Sequence, residues 1–282
     1  MAQGGFTNEQ LERYARHIIL PQVGGRGQRR LLDSRVFVVG AGGLGSPILL
    51  YLAAAGIGTI DIVDDDVVDR SNLQRQIIHS TDDVGEAKVE SARAAIMALN
   101  PDVKVNMLRQ RITRDNAMTL LRDAAVVLDG SDNFATRYLI NDACWFLKKP
   151  LVSGAMHRFE GQVTVFPMNG GADSPCYRCL FAEPPPADLV PTCQEAGILG
   201  VLPGVIGSLQ ATEAIKLLLG IGRPLVGRLL VYDALEMSFR TIKLHRDKGC
   251  ALNGDHPTMK ELGTYDDERC TSNLPSSPRE PA

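Results

Sequence analysis

The 282-residue chain is poor in aromatic residues. They make up 5% of it, with a single tryptophan, so a base-stacking or carbohydrate-stacking surface has little to be built from. It lacks an excess of positive charge. Thirty Lys and Arg stand against 33 Asp and Glu, a net charge of −3, and no basic field is available for general nucleic-acid binding. It lacks an apolar run long enough to span a bilayer; the best stretches, "GIGTIDIV" and "VLPGVIGSL", are short or broken by Gly and Pro. The opening "MAQGGFTNEQ" has no charged segment followed by an apolar one, so no secretory signal is expected and the reading is a soluble, cytoplasmic protein. Six cysteines in that compartment point to metal or catalysis rather than disulfides.

What is present is a globular composition, 44% hydrophobic and 22% charged. The stretch "TNEQLERYARHIILPQVGGRGQRRLL" places Thr7 at an N-cap with Gln10 three residues on, a capping box. Residues 1–34 read as a helical arm, broken at Pro21 and at Gly24-Gly25. Strand-like runs then alternate with helical patterns: "RVFVVG", "GTIDIVD", "VKVNMLRQ", "AAVVLDG" and "PLVSGAM" are separated by "SPILLYLAAAG", "GEAKVESARAAIMALNP", "RDNAMTLLRD" and "NFATRYLINDACWFLKK". That order predicts an α/β, Rossmann-like doubly wound sheet, mainly parallel. After residue 155 the strands "GQVTVFP", "RLLVYDA" and "SFRTIKLH" predict an antiparallel continuation, with one apolar helix at "GVIGSLQATEAIKLLLG". Residues 35–270 read as a single domain, and the Pro/Ser-rich 271–282 as a disordered tail.

Gly40, Gly42 and Gly45 complete a G-x-G-x-x-G between a strand and a helix, where bare N–H groups and a helix N-terminus suit a phosphate. Asp64 ends the next strand, about 20 residues on, where an acid can accept from ribose hydroxyls. The loop and acid predict an adenine nucleotide and serve NAD and ATP equally. The following "DDDVVDRSNLQRQ" breaks the tie. Alongside Asn72 and Gln76, Arg75 and the more distant Lys88 offer the fixed cations that a triphosphate needs, for which a dehydrogenase has little use beyond a 2′-phosphate clamp. No His/acid pair for hydride chemistry stands out either. Asp132, in "LDGSDNFATR", is a candidate for Mg²⁺. The alternative is that Asp132 caps the helix beginning at Asn133, a task Ser131 could also perform.

These motifs give the chain a resemblance to a known superfamily. The segments "RYARHIILPQVG", "VVGAGGLGSP", "SNLQRQ", "VGEAKVESA", "SDNFATR", "PLVSGAMHRFEGQVTVF", "CYRC", "TCQEAG" and "GVIGSLQATEAIK" resemble the MoeB/ThiF-type adenylyltransferases of ubiquitin-like sulfur carriers, relatives of ubiquitin-activating enzymes. The resemblance implies an enzyme that binds ATP and Mg²⁺ together with the Gly-Gly tail of a small ubiquitin-fold protein. The tail carboxylate attacks the α-phosphate, giving an acyl-adenylate and pyrophosphate. A carboxylate is already ionised at pH 7, so no general base is required. Carried over, Gly43 faces the nucleotide, Asp64 binds ribose, and Asn72, Arg75 and Lys88 contact the phosphates. Asp132 binds magnesium, and Asp66, Ser71, Gln76 and Asn133 belong to the same nucleotide site. Arg16 reaches into a neighbouring subunit as an arginine finger, which implies a homodimer. A non-catalytic subunit that only binds a ubiquitin-like partner would have lost the Arg and Asp of this site; here they are retained.

Cys176 and Cys179 in "PCYRC" have the spacing of a tetrahedral zinc half-site, with a redox pair as the alternative. The resemblance implies a second C-x-x-C near the chain end that completes a structural zinc. Here "KGCALNGDHPTMKEL" supplies Cys250, but Asn253 stands where its partner belongs, leaving the fourth ligand open among Cys270, His256 and water. Cys193, in "PPPADLVPTCQEAG", lies in an expected loop. By resemblance it is a candidate nucleophile for the activated glycyl group or a persulfide, the alternative being a passive loop cysteine. Cys144 reads as a core residue and His157 as a satisfied structural histidine. Relatives of this type continue into a rhodanese domain. This sequence ends instead in "NLPSSPREPA", so a separate sulfurtransferase or cysteine desulfurase is the expected sulfur source.

Overall fold

Val36 and Val38 point to one side of their strand, Phe37 and Val39 to the other, and all four are buried. A strand apolar on both faces needs cover on both, which is the signature of a parallel sheet packed between helices. A computed structural model, which describes residues 5–169, 171, 174–184 and 197–265, has this architecture. Its sheet contains β1 (Arg35–Val39), β2 (Thr59–Val63), β3 (Lys104–Leu108), β4 (Val126–Asp129), β5 (Leu151–His157), β6 (Glu160–Phe166), β7 (Arg228–Asp233) and β8 (Ser238–Lys243). The order is β3-β2-β1-β4-β5-β6-β7-β8, parallel through β5 and antiparallel from the β5–β6 pair onward. The expected doubly wound sheet with an antiparallel continuation is therefore the fold.

Helices α4 (Gly45–Ala55), α5 (Lys88–Leu99) and α9 (Leu202–Leu219) cover one face, where Val36, Val38, Ile60, Ile62, Leu128 and Val152 form the larger core. Helices α6 (Arg114–Leu121), α7 (Phe134–Leu147) and the short α8 (Tyr177–Leu180) cover the other, over Phe37, Val39, Val127, Leu151 and Phe166. Cys144 is wholly buried in this second core, as expected, and burial pushes its thiol well above the ordinary range. His157 differs from expectation. It falls at the exposed end of β5, beyond the reach of the core that would have satisfied it.

The arm folds as α1 (Asn8–Arg13), α2 (Ala15–Ile18) and α3 (Gly24–Leu32). The Thr7–Gln10 capping box forms in both directions. The chain turns at Pro21 as expected, but Gly24-Gly25 opens α3 instead of breaking a helix, because Gly24 takes φ +59° and sets the new axis. Tyr14 anchors the arm. Its ring packs against Gly56, the C-cap of α4, and its hydroxyl accepts a hydrogen bond of 2.9 Å from Asn100 Nδ2 just past α5. Both contacts are at helix C-termini, hence at the edge of the sheet where the parallel strands begin.

Candidate nucleotide site and cysteine cluster

The parallel strands end at the opposite edge, and their register builds the candidate site. Val39 pairs with Val63 on one side and with Asp129 on the other. Gly40 therefore emerges beside Asp64 and Gly130, where the strand order reverses and open α/β sheets bind ligands. Gly40 has φ +91°, and a Cβ there would sit 2.8 Å from the Gly130 carbonyl oxygen. A Cβ on Gly45 would sit 2.1 Å from the Gly40 carbonyl oxygen, so only glycine closes this turn. No side chain caps the first turn of α4, and no acid lies in that turn, which leaves its N–H groups directed at the crevice.

Asp64 props the loop from the next strand. One carboxylate oxygen accepts from Ala41 N at 2.8 Å and the other from Asp66 N at 2.9 Å. Burial pushes its carboxyl above the usual range, opposed by the Lys88 charge and the two N–H donors. Lys88 is buried as the first residue of α5, and its Nζ lies 2.7 Å from Asp66 Oδ2. A cation at a helix N-terminus is opposed by the helix dipole, a cost that a structural role does not explain. Gly42 and Gly43 face the remaining predicted residues. A Cβ on Gly42 would lie 3.5 Å from Gln76 Nε2, and one on Gly43 3.8 Å from Arg75 Cγ. Gln76 is buried and its Oε1 has no hydrogen-bond partner among the described residues, an orphaned acceptor beside the glycine loop. Asp69 shapes the segment before it, accepting from Ser71 N and Oγ, while Asn72 Oδ1 accepts from Asp69 N and Arg75 Nη1 donates to Ser71 O.

Across the crevice, the helix expected to begin at Asn133 begins at Phe134, and Asn133 itself is the N-cap, accepting from Thr136 N at 2.8 Å. Neither Asp132 nor Ser131 caps it. Ser131 donates instead through N and Oγ to Asp129, while Asp132 is exposed and makes no hydrogen bond among the described residues. The acid at the strand end is thus two carboxyls of different kinds: a buried Asp129, pushed up by burial, and an exposed Asp132. The sequence reading did not single out Asp129, Arg137 or His79. Arg137 carries the charge that opposes the burial of Asp129, and His79 bonds the glycine loop from below. An acid closing a wholly apolar strand and a lone histidine after "RQII" were the available signals.

Arg16 is not in the crevice. It lies on α2, exposed, two residues past Tyr14 and so at the far end of α4, which rises about 15 Å between its termini. The third grouping is sulfur. Cys176 Sγ is 3.7 Å from Cys179 Sγ and 3.8 Å from Cys250 Sγ, and the three lie within 4.8 Å of one another. Zinc–thiolate bonds of about 2.3 Å at tetrahedral angles put sulfurs about 3.8 Å apart, so three corners fit a metal ion. Cys193 and Cys270 lie outside the described residues.

The ThiF family profile matches residues 14–252. A sulfur carrier protein adenylyltransferase of Thermus thermophilus is 54% identical over 93% of this chain and 97% of that protein. A SAMP-activating enzyme E1 of Haloferax volcanii is 54% identical over 87% of this chain and 90% of its own length. Among solved structures, E. coli MccB with MccA-N7isoASN superposes with a TM-score of 0.76 at 20% identity, covering 88% of this chain and 76% of that one, a likeness of fold. With the profile spanning most of the described fold and relatives above half identity along nearly their whole length, this chain belongs to the ThiF family.

Proposed function

We propose that this protein adenylates the C-terminal Gly-Gly carboxylate of a small ubiquitin-fold sulfur carrier. The observation that carries the reading is the convergence at one strand edge of an uncapped glycine-loop helix, the buried Lys88, and a Gln76 Oε1 and an Asp132 that have no hydrogen-bond partner among the described residues. That set suits a nucleoside triphosphate and offers nothing for hydride transfer. The 54% identity to an enzyme named for this activity supports the substrate class.

In this mechanism the α4 N-terminus and the Gly42 and Gly43 backbone receive the phosphates, while Asp64 and Asp66 face the ribose. A carboxylate oxygen of the carrier tail forms a bond to the α-phosphorus, the bond from that phosphorus to the bridging oxygen breaks, and pyrophosphate leaves with the electron pair. Lys88, Asn72 and Arg75 stabilise the charge that moves onto the leaving group. Lys88 then exchanges Asp66 for phosphate, and its buried position makes that interaction strong. Asp132 would hold a magnesium ion, which supplies charge neutralisation at the phosphates.

Arg16 acts on the site of a second copy, since it lies a helix length from its own. This makes the protein a homodimer. Cys176, Cys179 and Cys250 would hold a structural zinc, which cross-links the α8 loop to the segment after β8. Cys193 is the nucleophile: its thiolate bonds to the glycyl carbonyl carbon as a thioester, the bond from that carbon to the AMP oxygen breaks and AMP leaves, with sulfur then delivered by a separate sulfurtransferase or cysteine desulfurase in the cytoplasm. Residues 35–270 form a single adenylation domain in this reading, preceded by the arm at residues 1–34.

The test is incubation with ATP and Mg²⁺ and a panel of purified Gly-Gly carriers, followed by intact mass. One carrier gains a single AMP with pyrophosphate released, and NAD does not bind. If no carrier gains AMP, the substrate reading fails.

A further inference from the structure

Three sulfurs stand together as three corners of a tetrahedral site would, and Asn253 lies against two of them. This residue is buried, and its backbone and side-chain N–H groups have defined acceptors. Its Nδ2 donates to the Ser174 carbonyl oxygen at 2.7 Å, which fixes the nitrogen end of the amide at that carbonyl. The same nitrogen lies 3.8 Å from Cys179 Sγ, with its second hydrogen available to that sulfur. Its backbone N–H donates to Cys250 Sγ at 3.3 Å. An amide nitrogen with both hydrogens directed at acceptors has no lone pair for a metal. Asn253 therefore faces the cluster as a donor to sulfur, in the place of a ligand.

We propose that a metal ion at this cluster takes three thiolates from the chain and its fourth ligand from solvent, with Asn253 acting as a hydrogen-bond donor to the bound sulfurs. This rests on the reading of Cys176, Cys179 and Cys250 as a metal site, and not on the adenylation reaction. Two features support it beyond the missing thiol. Cys179, the sulfur that Asn253 faces, is only partly buried. Asn253 also lines an open cleft of about 330 Å³ with Trp145, Arg246 and Met259, so solvent comes within one residue of the cluster, although no cysteine lines the cleft itself. Three thiolates and a dication carry a net charge of −1 instead of −2, and the N–H donors of Asn253 offset part of what remains. Sites with three protein ligands keep an exchangeable position, whereas four-thiolate sites are closed. The consequence is a metal site that exchanges small ligands and releases its ion more readily than a closed one.

Cobalt(II) titration of the metal-free full chain tests this, because sulfur-to-cobalt charge-transfer absorption grows with each bound thiolate. The wild type should show about three-quarters of the intensity of Asn253→Cys, in the ratio of three thiolates to four. Added imidazole or 2-mercaptoethanol should shift the wild-type bands and leave those of Asn253→Cys unchanged. Zinc should pass from the wild type to a chromogenic chelator at least about tenfold faster than from Asn253→Cys, the scale on which ligand-shell changes act. Should Asn253→Cys misfold, Asn253→Ala decides: its charge-transfer intensity should equal that of the wild type while the bands move to lower energy, because the bound sulfurs lose an N–H donor. Unmoved bands in Asn253→Ala overturn the donor role. A fall in charge-transfer intensity in Cys270→Ser or Cys193→Ser, or altered d–d bands in His256→Ala, overturns the proposal by identifying a fourth ligand from the chain. If the wild type binds no cobalt or zinc at all, the metal-site reading itself is wrong, an outcome distinct from a four-ligand spectrum.

Discussion

His79 Nε2 lies 2.9 Å from the carbonyl oxygen of Ala41, so a buried imidazole fastens the glycine loop to the layer beneath it. Its Nδ1 lies 2.7 Å from Ser91 Oγ on α5, and Ser91 Oγ lies 2.9 Å from Asp83 Oδ2. In the neutral ring, Nε2–H donates to the Ala41 carbonyl, while the single hydrogen of the Ser91 hydroxyl is donated to Asp83. Burial holds the His79 pKa below its ordinary 6.5, reinforced by the Lys88 charge, while the Ala41 carbonyl and Asp83 oppose.

His79→Ala removes the buried hydrogen bond to Ala41 and leaves that carbonyl unpaired, a loss of about 1–3 kcal/mol by urea denaturation. The variant should also raise the KM for ATP more than it lowers kcat, because the loop is displaced and the reacting groups are intact. The depressed pKa gives a sign. The unfolded histidine binds a proton more readily than the folded one, so its contribution to stability is complete above pH 6.5 and is lost as pH falls through the folded value. Wild-type stability should therefore drop on acidification below pH 6.5. His79→Ala should show a shallower drop; an equal slope in both would mean that another group titrates.

Asp129 and Asp132 stand three residues apart at the same strand end, and substitution should separate them. Asp132→Ala should abolish the Mg²⁺-dependent release of pyrophosphate and change stability by less than about 0.5 kcal/mol, as befits an exposed side chain without partners. Asp129→Ala should destabilise by about 1–3 kcal/mol, because the Ser131 N–H and hydroxyl lose their acceptor in a dry site. Thermal melts beside a pyrophosphate assay read both. Equal destabilisation of the two variants would contradict the division of labour.

Asp142 is the wholly buried partner of Arg178, which donates Nε at 2.8 Å and Nη2 at 2.7 Å. Asn141 Nδ2 and Tyr265 Oη donate to the same carboxylate. The carboxylate thus ties α7 to the helix that carries Cys179 and to residue 265. Asp142→Asn leaves a buried guanidinium without its counter-charge, a loss of about 3–5 kcal/mol by urea denaturation. Zinc content should fall with it, because α8 is no longer held against α7. Retention of both stability and metal would show that the pair is dispensable.

The sheet was legible because its central strands are apolar on both faces and its helices carry their own stops; the capping box at Thr7 was legible because it is local. The glycine loop and Asp64 were legible because turn and strand end are fixed by nearest neighbours. Less local features escaped. Nothing in "LDGSDN" states that Asp129 points into the core and Asp132 out, since the answer depends on Ser131 turning back onto Asp129 and on Asn133 capping the helix. Nor does "QIIHS" show that His79 meets Ala41, a contact made across 38 residues. Gly24-Gly25 was misread as a break because a left-handed glycine can start a helix as readily as end one. The departure at Asn253 was visible, but its hydrogen bond to Ser174, 79 residues away, was not.

Arg16 yields the test that distinguishes a finger in cis from one in trans. It is exposed on an arm anchored at the wrong end of α4, so Arg16→Ala should unfold nothing yet suppress ATP–pyrophosphate exchange by at least about a hundredfold, the scale of losing one transition-state cation. Lys88→Ala should be equally inactive for a reason within its own chain. Mixing the two inactive proteins under conditions that exchange subunits then becomes decisive. Half of the dimers are mixed, and each mixed dimer contains one site with an intact Lys88 from one copy and an intact Arg16 from the other. About a quarter of the wild-type sites should reappear, since a two-fold dimer exchanges the same element between both copies. No recovery, in a mixture shown by tagged pull-down to have exchanged, would mean that Arg16 serves its own chain or none. Recovery would require the arm of one protomer to complete the crevice of the other.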